Sequence, residues 1–599
     1  MLEKLTQKYS QLRDKYTLDL LQARSRERTI AFLRALLFLI ALALIITFIK
    51  TNAWLGIVLP LLLFAGFIYL VQKSSRIKAR VVFLKNLIQV NEDELKAIKG
   101  DLSPFKSGNK YIDYHHTYSY DLDVFGEHSL YRLLDRTGTV PGRDQLAAEL
   151  LDTELDREVI LQRQNAVKEL ASELNWRQEF LATARQIEFE KDETRELQNW
   201  LRSKDYFLGK KIYPILFILI PLISVAIPVL IGFNIISIYS ALYYILPLAL
   251  VAIQAKRILS EQNKVGRFVK LFRKYYSLLL LLEKPGYKSE YLKKLQARLN
   301  HKGQVASNIV NQLSGILWGL ESRNNLIMAF LLNAFMVWDL RYMVRLEIWR
   351  RDFGDEFDTW LDVTGRFEVL NSLANLNYNR DDMIFPDLPD GDCILEMESG
   401  GHPLIEPAKR IDNDLNFYGR GQIKIITGAN MAGKSTLLRT VGINLLLGMM
   451  GAPVCAKKFT FTPIRIRTSV RTNDSLGDNE SYFYAELVKL NRIMVDLRKE
   501  GPVFVIVDEM LKGTNSRDKH TGSVGLVKQL IKLGANGLVA THDIELGQLI
   551  REYPKQIENK SFEVKISDEH LSFDYILYDG ISQNLNATFL MKQMGILGD

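Results

Sequence analysis

The chain has 599 residues, of which 47% are hydrophobic and 24% are charged, a composition typical of a folded protein with several domains. Its only two cysteines, Cys393 and Cys455, have a spacing that fits neither a disulfide framework nor a zinc site, so we expect a reducing compartment. The net charge of +8 leaves two interpretations open: attraction to the phosphates of a nucleic acid, or basic collars beside a membrane.

The N-terminal region combines an amphipathic segment with two uncharged runs. Residues 1–30 carry apolar side chains at three- and four-residue spacing, which predicts an amphipathic N-terminal helix. Residues 31–72 contain the uncharged runs Ala35–Ile49 and Ala53–Val71, separated by a short polar turn. Because these runs approach the roughly 20 residues that cross the hydrocarbon of a bilayer, we predict a first transmembrane hairpin here.

A second pair of apolar runs follows a long charged region. Residues 73–211 show charged helical patterns and are predicted to form a helical domain. Residues 212–254 contain the runs Ile212–Phe233 and Ile235–Ile253 on either side of Asn234. This pattern predicts a second transmembrane hairpin, and four membrane helices in all. The internal prolines are tolerated in membrane helices, although they break soluble ones.

The flanks of the two hairpins predict their orientation. Basic residues precede and follow each hairpin, whereas the two turns carry only Lys50. The positive-inside rule then places both termini and the soluble regions in the cytoplasm, in a multi-pass protein of the cell (inner) membrane. The alternative is that these runs are core helices of a soluble protein, although a soluble core rarely needs two such pairs.

The character of the sequence changes near residue 390. Residues 255–385 continue the helical pattern, and within them the run 325–338 is interrupted by Asn333. Because this run is shorter than a membrane span, we predict a buried helix there. From about residue 390 short β-rich runs alternate with turns and glycines, which predicts an α/β domain over 390–599.

The sequence GANMAGKS at residues 428–435 has the spacing of a P-loop. A buried strand is predicted directly before it, at Ile423–Thr427, and an amphipathic helix directly after it, at Thr436–Met450, which is the context that such a loop requires. Gly428 and Gly433 leave the backbone N–H groups free to surround phosphates, and the start of the helix adds partial positive charge. The loop therefore predicts nucleotide binding.

Four side chains are predicted to act on the nucleotide, two from the P-loop and two from the end of another predicted strand. Lys434 is placed to contact the β- and γ-phosphates, and Ser435 to bind Mg²⁺ through its hydroxyl. Asp508 and Glu509 end another apolar run, Val503–Val507. We predict that Asp508 is the second Mg²⁺ ligand and that Glu509 is the base that polarises the attacking water.

A histidine follows the third apolar run of this domain, Leu538–Ala540. His542 is placed there to contact the γ-phosphate or the attacking water. All these residues follow strands, and the carboxyl ends of strands are where α/β sheets bind ligands. The pattern thus predicts an ATP hydrolase that depends on Mg²⁺, with Glu509, His542 and Lys434 as its catalytic residues.

Taken together, these motifs resemble the ATPase domain of the MutS family of DNA mismatch-recognition proteins. GANMAGKST resembles the family's GPNMGGKST, IVDEMLKGTNSRD resembles MDEIGRGTSTYD, and ATHDIEL resembles ATHYFEL. TNDSLGDNESYFYAEL, which contains Ser481 and Glu486, resembles the family's DDLASGRSTFMVEM. Upstream, residues 127–167 resemble the family's core domain, and residues 367–376 resemble the end of its lever helices.

The resemblance assigns domains and site residues. It implies a MutS-type core from about residue 110 and lever helices over 255–385. It implies homodimers with composite sites, because a serine like Ser481 acts in the family on the nucleotide of the opposite subunit. DNA is then a candidate partner. The residues implied to bind the nucleotide are Gly428, Asn430, Met431, Gly433, Lys434, Ser435, Thr436 and Ser481, with Ser435 and Asp508 as ligands of Mg²⁺.

The chain departs from the family at its N-terminus. The mismatch-reading domain, with its Phe-x-Glu wedge, has no counterpart, and the first predicted hairpin stands in its place. We therefore predict a multidomain fold with transmembrane hairpins, an all-α core and lever region, and a C-terminal P-loop ATPase domain of the ABC/MutS type. Its predicted function is that of a membrane-anchored MutS-like ATPase coupled to DNA binding and related to mismatch repair.

Two other functions are alternatives to this one: an ABC-type membrane transporter, and a membrane scaffold that uses ATP-driven dimerisation without DNA. The transporter signature LSGGQ is missing, and the predicted spans carry no charged side chains to line a path. The intact set of Lys434, Ser435, Asp508, Glu509 and His542 argues against a scaffold with an inactive site.

Overall fold

The computed structural model is mostly helical and ends in an α/β domain, as predicted. Helices occupy the chain as far as Asn379, apart from a small two-stranded hairpin, and the sheets of the α/β domain begin at Ile394, close to the predicted change near residue 390. The described residues are 2–51, 55–187, 191–209, 212–284, 286–321, 326–391, 394–471, 482–501, 503–511, 515–567 and 570–582.

Two long helices at the N-terminus pack along each other. α1 spans Leu2–Thr51 and α2 spans Leu55–Ile98. Neither helix is interrupted near residue 30 or 72, where the sequence separates polar segments from the predicted first hairpin. The polar half of α1 is held by the fully buried Tyr9, whose hydroxyl donates to Asn379 Oδ1 at 2.8 Å. The apolar and polar segments are therefore parts of the same two helices.

Three helices in the described part of the chain are long and apolar enough to cross a membrane. They lie in Leu2–Thr47, Ile212–Gly232 and Ile238–Gly266, and 6%, 17% and 11% of their apolar windows are buried. Most of these apolar side chains therefore face outward. The remaining predicted span, Ala53–Val71, begins outside the described residues, so the fourth membrane helix stays a prediction.

The helical domain after α2 packs around one long helix, α14 (Glu356–Asn379), whose side chains are mostly buried. Capping residues define the starts of the helices around it: Thr139 Oγ1 accepts from Gly142 N, and Asp156 accepts from two amides of its helix. These helices are α3 (Leu130–Leu134), α4 (Val140–Leu151), α5 (Arg157–Ser172), α6 (Leu174–Ala184) and α7 (Lys191–Leu201).

The buried carboxylate of Glu368 joins α14 to the start of α4. It accepts from the amides of Gly138 and Thr139 at 3.2 Å and from Thr139 Oγ1 at 2.9 Å. Gly142 lies against it, since a Cβ on this glycine would approach Glu368 Oε2 to 1.4 Å. The close approach explains a glycine at this position, and the amide donors at the helix start stabilise the negative charge.

We expect Glu368→Gln to remove a pH dependence of stability. Burial raises the pKa of Glu368 to about 7, from 4.5 in an unfolded chain, although the hydrogen bonds from Thr139 and Gly138 act against this rise. Between these pH values the folded form holds a proton that the unfolded form has lost. The stabilisation from this group therefore falls as pH rises from 4.5 to 7, by about 3 kcal/mol.

The measurement is the unfolding midpoint of the parent chain and of Glu368→Gln in detergent from pH 4.5 to 7.5. The midpoint of the parent should fall relative to that of the variant as pH rises. A difference between them that does not change with pH would contradict the assignment.

The second predicted hairpin is formed by α8 (Ile212–Gly232) and α9 (Ile245–Glu283). A 3₁₀ segment, Ile238–Tyr244, leads into α9. Asn234, where the sequence predicts a turn, has a φ of 55°, a left-handed value that asparagine adopts more readily than most residues. α9 extends well beyond residue 254, so it carries the chain from the apolar region into the helical domain.

The lever region continues with helices and one small hairpin. One expectation there is wrong: the run 325–338 does not form a buried helix, since Phe330 in it is 57% exposed. Its neighbours do not cover this face, which a sequence pattern cannot reveal. The elements of the region are α10 (Glu290–Ala297), β1 (Asn300–His301), β2 (Gln304–Val305), α11 (Ala306–Glu321), α12 (Leu326–Met336) and α13 (Trp338–Phe353).

The C-terminal domain is built on a six-stranded sheet with a smaller three-stranded sheet beside it. The large sheet has the order β11-β10-β5-β9-β8-β7, and its strands pair in parallel except β11, which is antiparallel to β10. The small antiparallel sheet has the order β4-β3-β6. The strands are β3 (Ile394–Gly400), β4 (Asn413–Tyr418), β5 (Ile423–Gly428), β6 (Lys458–Phe461), β7 (Arg465–Ser469), β8 (Val503–Asp508), β9 (Asn536–Ala540), β10 (Ile557–Ser567) and β11 (His570–Asp579).

The central strands β5, β8 and β9 are buried along almost their whole length. Helices cover both faces of the sheet, which explains why these strands read as continuous apolar runs rather than as alternating patterns. The helices are α15 (Lys434–Met449), α16 (Tyr482–Glu500) and α17 (Ser516–Lys532), followed by a 3₁₀ segment at Ile544–Arg551.

Candidate functional site

The carboxyl ends of three neighbouring strands meet at one edge of the large sheet. β9 lies between β5 and β8, and Asp508 at the end of β8 pairs with Ala540 at the end of β9. The chain leaves β9 through Thr541, whose amide donates to Ile426 O at 3.0 Å. This topology brings together the predicted P-loop, the acidic pair and the histidine, which are far apart in sequence.

The loop between β5 and α15 has the backbone that its glycines allow. Gly428 has a φ of 147° and Gly433 a φ of 113°, and a Cβ on Gly428 would approach Phe562 O to 2.8 Å. Met431 has a φ of 66° and is 84% exposed at the tip of the loop. Lys434, the first residue of α15, donates from Nζ to the carbonyls of Gly428 at 2.6 Å and Ala429 at 2.9 Å. The lysine ammonium therefore lies inside the curve of the loop.

Two oxygen donors lie side by side beneath the loop. Ser435 Oγ donates to Asp508 Oδ2 at 2.5 Å. A hydroxyl at the start of a helix and a carboxylate at the end of a strand are hard oxygen ligands of the kind that Mg²⁺ takes beside a phosphate. The structure therefore brings together the two side chains that the sequence predicts as ligands of Mg²⁺.

His542 joins three parts of the site through one nitrogen. Its Nε2 lies 2.6 Å from Glu509 Oε1, 2.8 Å from Asn430 Oδ1 and 3.4 Å from Lys434 Nζ. The structure thus places His542 against the acidic residue and against the loop at once. This arrangement can orient the Glu509 carboxylate toward whatever the loop holds.

The comparisons with known proteins agree with this geometry. A family model described as MutS domain V matches residues 424–591. The chain therefore contains a domain of the MutS family. The match begins in β5 and continues past β11, so it contains the P-loop, the acidic pair and the histidine.

Curated relatives named DNA mismatch repair protein MutS match the same half of the chain. The protein of Thermotoga maritima is 32% identical over 237 residues, which are 39% of this chain and 29% of the relative. That of Aquifex pyrophilus is 31% identical over 239 residues, 39% of this chain and 27% of the relative. That of Acetivibrio thermocellus is 28% identical over 342 residues, 56% of this chain and 36% of the relative. The chain thus spans about a third or less of the length of these relatives.

In this MutS domain, the turn after β8 is strained and held from outside. Glu509 and Leu511 have φ values of 53° and 57°, which are uncommon for residues with a side chain. Leu511 N donates to the buried carboxylate of Glu486, on α16, at 2.5 Å. Strained residues of this kind persist only where the surroundings hold them, and here Glu486 fixes the turn that carries Glu509. In the sequence, Glu486 belongs to the motif TNDSLGDNESYFYAEL that resembles the MutS family, but the resemblance assigns it no role.

The opposite wall of the MutS site contains residues that the sequence did not single out. An open cavity of about 590 Å³ beside the loop is lined by Ile405, Ile411 and Tyr575 in addition to the predicted residues. Tyr575, on β11, has a φ of 56° and is held through its carbonyl, which accepts from Asn413 Nδ2 at 3.1 Å. The alternating pattern of β11 predicts a strand, and nothing in it indicates which side chain reaches the P-loop.

A buried aspartate connects the MutS domain to the helical core. Asp121 accepts from Thr468 Oγ1 at 2.7 Å, from Lys489 Nζ at 2.7 Å and from the amides of Val470 and Arg471. Its own carbonyl accepts from Arg439 Nε at 3.1 Å, and Arg439 lies on α15, directly after the P-loop. The segment around Asp121 therefore touches both the loop helix and the strand that precedes residues 472–481.

We expect Asp121→Ala to destabilise the joint between core and MutS domain by about 1–3 kcal/mol, because it removes the carboxylate that pairs with Lys489 and accepts from the amides of Val470 and Arg471. The readout is the unfolding midpoint in detergent. Asp101→Ala, which removes an exposed aspartate that accepts from the nearby amide of Ser103, serves as the control and should lower the midpoint much less. Equal midpoints for the two variants would show that the joint does not depend on this carboxylate.

Parts of two compared motifs lie outside the described residues. These are residues 472–481, which include Ser481, assigned by the resemblance to the nucleotide of a second subunit, and residues 512–514, which follow the acidic pair. The other predicted site residues line the cavity or contact the residues that do: Gly428, Asn430, Met431, Gly433, Lys434, Ser435, Thr436, Asp508, Glu509 and His542.

Proposed function

We propose that this chain is a membrane-anchored, Mg²⁺-dependent ATP hydrolase of the MutS type. One observation carries the proposal. The pair Ser435–Asp508 and the pair Glu509–His542 flank the same P-loop, with the Lys434 ammonium between them. A metal-binding pair, a base and a phosphate-binding loop are the parts that phosphoryl transfer to water requires.

The loop and its lysine bind the phosphates. The amides of residues 428–435 and the start of α15 present partial positive charge, and Lys434 exchanges its bonds to the loop carbonyls for bonds to phosphate oxygens. Ser435 and Asp508 would hold Mg²⁺. When bound, this ion neutralises negative charge on the phosphates.

The acidic residue and the histidine act on water. Glu509 accepts a proton from a water molecule whose oxygen forms a bond to the γ-phosphorus, while the bond from that phosphorus to the bridging oxygen breaks and ADP leaves. His542 and the strained turn fix the direction of the carboxylate, and Asn430 connects it to the loop. Hydrolysis then depends on contacts among three strand ends rather than on one residue.

The apolar wall provides a place for the base. Ile405, Ile411 and Tyr575 line the cavity, and Tyr575, whose ring lies beside Gly433 of the loop, is 45% exposed. A partly exposed aromatic ring in the wall of the cavity suits stacking with adenine.

We expect Tyr575→Ala to raise the KM for ATP about five- to 150-fold, since stacking of a base on an aromatic ring contributes about 1–3 kcal/mol. Tyr575→Phe keeps the ring and should behave like the parent chain, so the two variants separate stacking from the hydroxyl. Steady-state ATP turnover gives both KM and kcat. An unchanged KM in Tyr575→Ala would show that adenine does not stack on Tyr575.

A homodimer and DNA complete the proposal. The resemblance assigns Ser481 to the site of the opposite subunit. The rate of ATP turnover per protein molecule should therefore rise with protein concentration as dimers form. The relatives are named for DNA mismatch repair, which makes DNA the first partner to test. Binding of homoduplex, mismatched and branched DNA should weaken steeply with salt if the chain contacts phosphates.

The apolar helices supply the membrane anchor. They expose large apolar side chains, including Ile218 at 69% and Leu222 at 65%, over lengths that suit a bilayer. Basic residues flank both hairpins, which favours a cytoplasmic position for the termini and for the ATPase domain in the cell (inner) membrane.

The experiment that tests the proposal is ATP turnover by the purified chain in detergent or lipid, with Mg²⁺ and with excess chelator. Phosphate release that requires Mg²⁺ supports it. A preparation that binds no nucleotide would overturn it.

A further inference from the structure

The helix α12 is an apolar element that the two proposed hairpins do not include. Met328, Phe330 and Leu331 on it are 45%, 57% and 45% exposed, while Ala334 on its other side is 2% exposed. A helix with apolar side chains on both its packed and its outer face belongs either in a protein core or in a membrane. Since none of the described residues covers the outer face, these side chains lie outside the described core.

Contacts with α8 give the depth of this helix. Ser224 lies near the middle of α8, and its Oγ donates to Ala334 O at 3.4 Å. Its carbonyl accepts from the hydroxyl of Tyr244 at 2.6 Å, and the ring of Tyr244 lies 5.0 Å from that of Phe335. A bilayer that is crossed by α8 therefore also surrounds the C-terminal half of α12.

At the break between α12 and α13, two backbone amides are paired within the protein. Val337 has a φ of 48°, and its amide donates to Asn333 O at 3.1 Å. The side chain of Asn333 accepts from Asp339 N at 3.0 Å and is itself 5% exposed. Internal pairing of this kind is what the hydrocarbon region demands of an interrupted helix.

The segments before and after α12, which are the end of α11 and the start of α13, lie close to each other. Trp338 Nε1, at the start of α13, donates to Gly319 O, near the end of α11, at 2.7 Å. Arg341 donates to Phe217 O and lies over the ring of that residue, and the neighbouring Trp318 is 66% exposed. Tryptophan and arginine at the ends of apolar helices are typical of the interface between hydrocarbon and water. The chain thus enters and returns across one surface.

A groove separates α12 from the return arm of the second hairpin. Its volume is about 600 Å³, and its walls are apolar side chains that include Ile238, Leu242, Leu248 and Phe330. The groove is open to the outside along the same exposed face. Its surroundings are the candidate membrane spans, so the chemistry that fits it is a hydrocarbon chain.

We propose that α12 is a re-entrant membrane element that packs on the second hairpin, with lipid acyl chains in the groove between them. This inference rests on the proposed membrane anchoring. It places part of the lever region inside the bilayer, so that α13, which begins at the interface, joins the membrane directly to the long helix α14.

The test uses spin labels on single cysteines in the full-length protein, reconstituted in phosphatidylcholine nanodiscs. Cys393 and Cys455 are first replaced by serine and alanine. Leu331→Cys reports on α12, Leu222→Cys is the matched position on α8, and Tyr114→Cys, 55% exposed on the helical core, is the control in water. The accessibility of each label to oxygen and to a water-soluble nickel complex is compared. A second label at Phe330→Cys protects against a local effect of one substitution.

We expect the labels on α12 to resemble the Leu222→Cys label, with high exposure to oxygen and at least severalfold lower exposure to nickel than the Tyr114→Cys label. If both α12 labels resemble Tyr114→Cys while Leu222→Cys lies in lipid, the re-entrant element is wrong and the anchor stands. If Leu222→Cys is also in water, the membrane anchoring itself fails and the inference fails with it.

Discussion

Glu509→Gln is expected to reduce ATP turnover by about 10²–10⁴-fold while nucleotide binding is retained, since general base catalysis contributes about that much. The substitution keeps the length and an oxygen acceptor but removes the negative charge that we propose takes the proton of water. The proposed contacts of Lys434, Ser435 and Asp508 with the phosphates and Mg²⁺ do not involve this carboxylate. Phosphate release and the binding of a fluorescent ATP analogue are the two measurements.

The control is Glu545→Gln, which neutralises an exposed carboxylate on the 3₁₀ segment after β9 without touching the loop. It should leave both measurements near those of the parent. Turnover by Glu509→Gln at the parental rate would remove Glu509 from the reaction. Loss of nucleotide binding in this variant would show instead that the strained turn, rather than the base, depends on the charge.

Arginines on the exposed faces of the apolar helices are expected to release the protein from membranes. The variant carries Phe38→Arg and Phe64→Arg in the first predicted hairpin and Leu222→Arg and Val225→Arg in the second, all at side chains that are 58–65% exposed. An arginine near the centre of a membrane helix costs about 3 kcal/mol on insertion scales, so four cost about 12 kcal/mol. The measurement is the fraction of protein that stays in membranes after an alkaline wash.

A control with the same added charge places four arginines at exposed apolar residues outside the predicted spans. These positions are Leu18, Leu21, Tyr114 and Tyr418, which are 54–62% exposed. The control variant should stay in the membrane fraction like the parent chain. If the first variant also stays there after the wash, these helices do not span the bilayer.

The sequence predicts well what depends on local order. The strand, loop and helix around Lys434 follow one another along the chain, and so do β8 with its acidic pair and β9 with its histidine. Their meeting at one edge also follows, because parallel strands present their carboxyl ends together. The wall opposite the loop could not be predicted, since Tyr575 reaches the site only through the pairing of β10 with both β5 and β11.

The errors have a similar cause. The prediction of a buried helix at 325–338 treats shortness as evidence for a core, but whether a helix is covered depends on neighbours more than 80 residues away, such as Ser224. The role of Asp121 was missed for the same reason: its partners Thr468 and Lys489 belong to another domain. Long-range contacts of this kind leave no periodic pattern in the sequence.

The continuity of α1 would determine the distance between the ATPase domain and a membrane. One helix runs from Leu2 to Thr51, and its polar half is packed on the core through Tyr9. Thirty helical residues rise about 45 Å. If α1 is anchored in the bilayer, this rigid helix would therefore hold the ATPase domain at a constant distance from the membrane, as a flexible linker could not. A binding partner would then have to contact the ATPase domain at this distance from the bilayer. A large partner would also have to fit between the domain and the membrane surface or approach from the side.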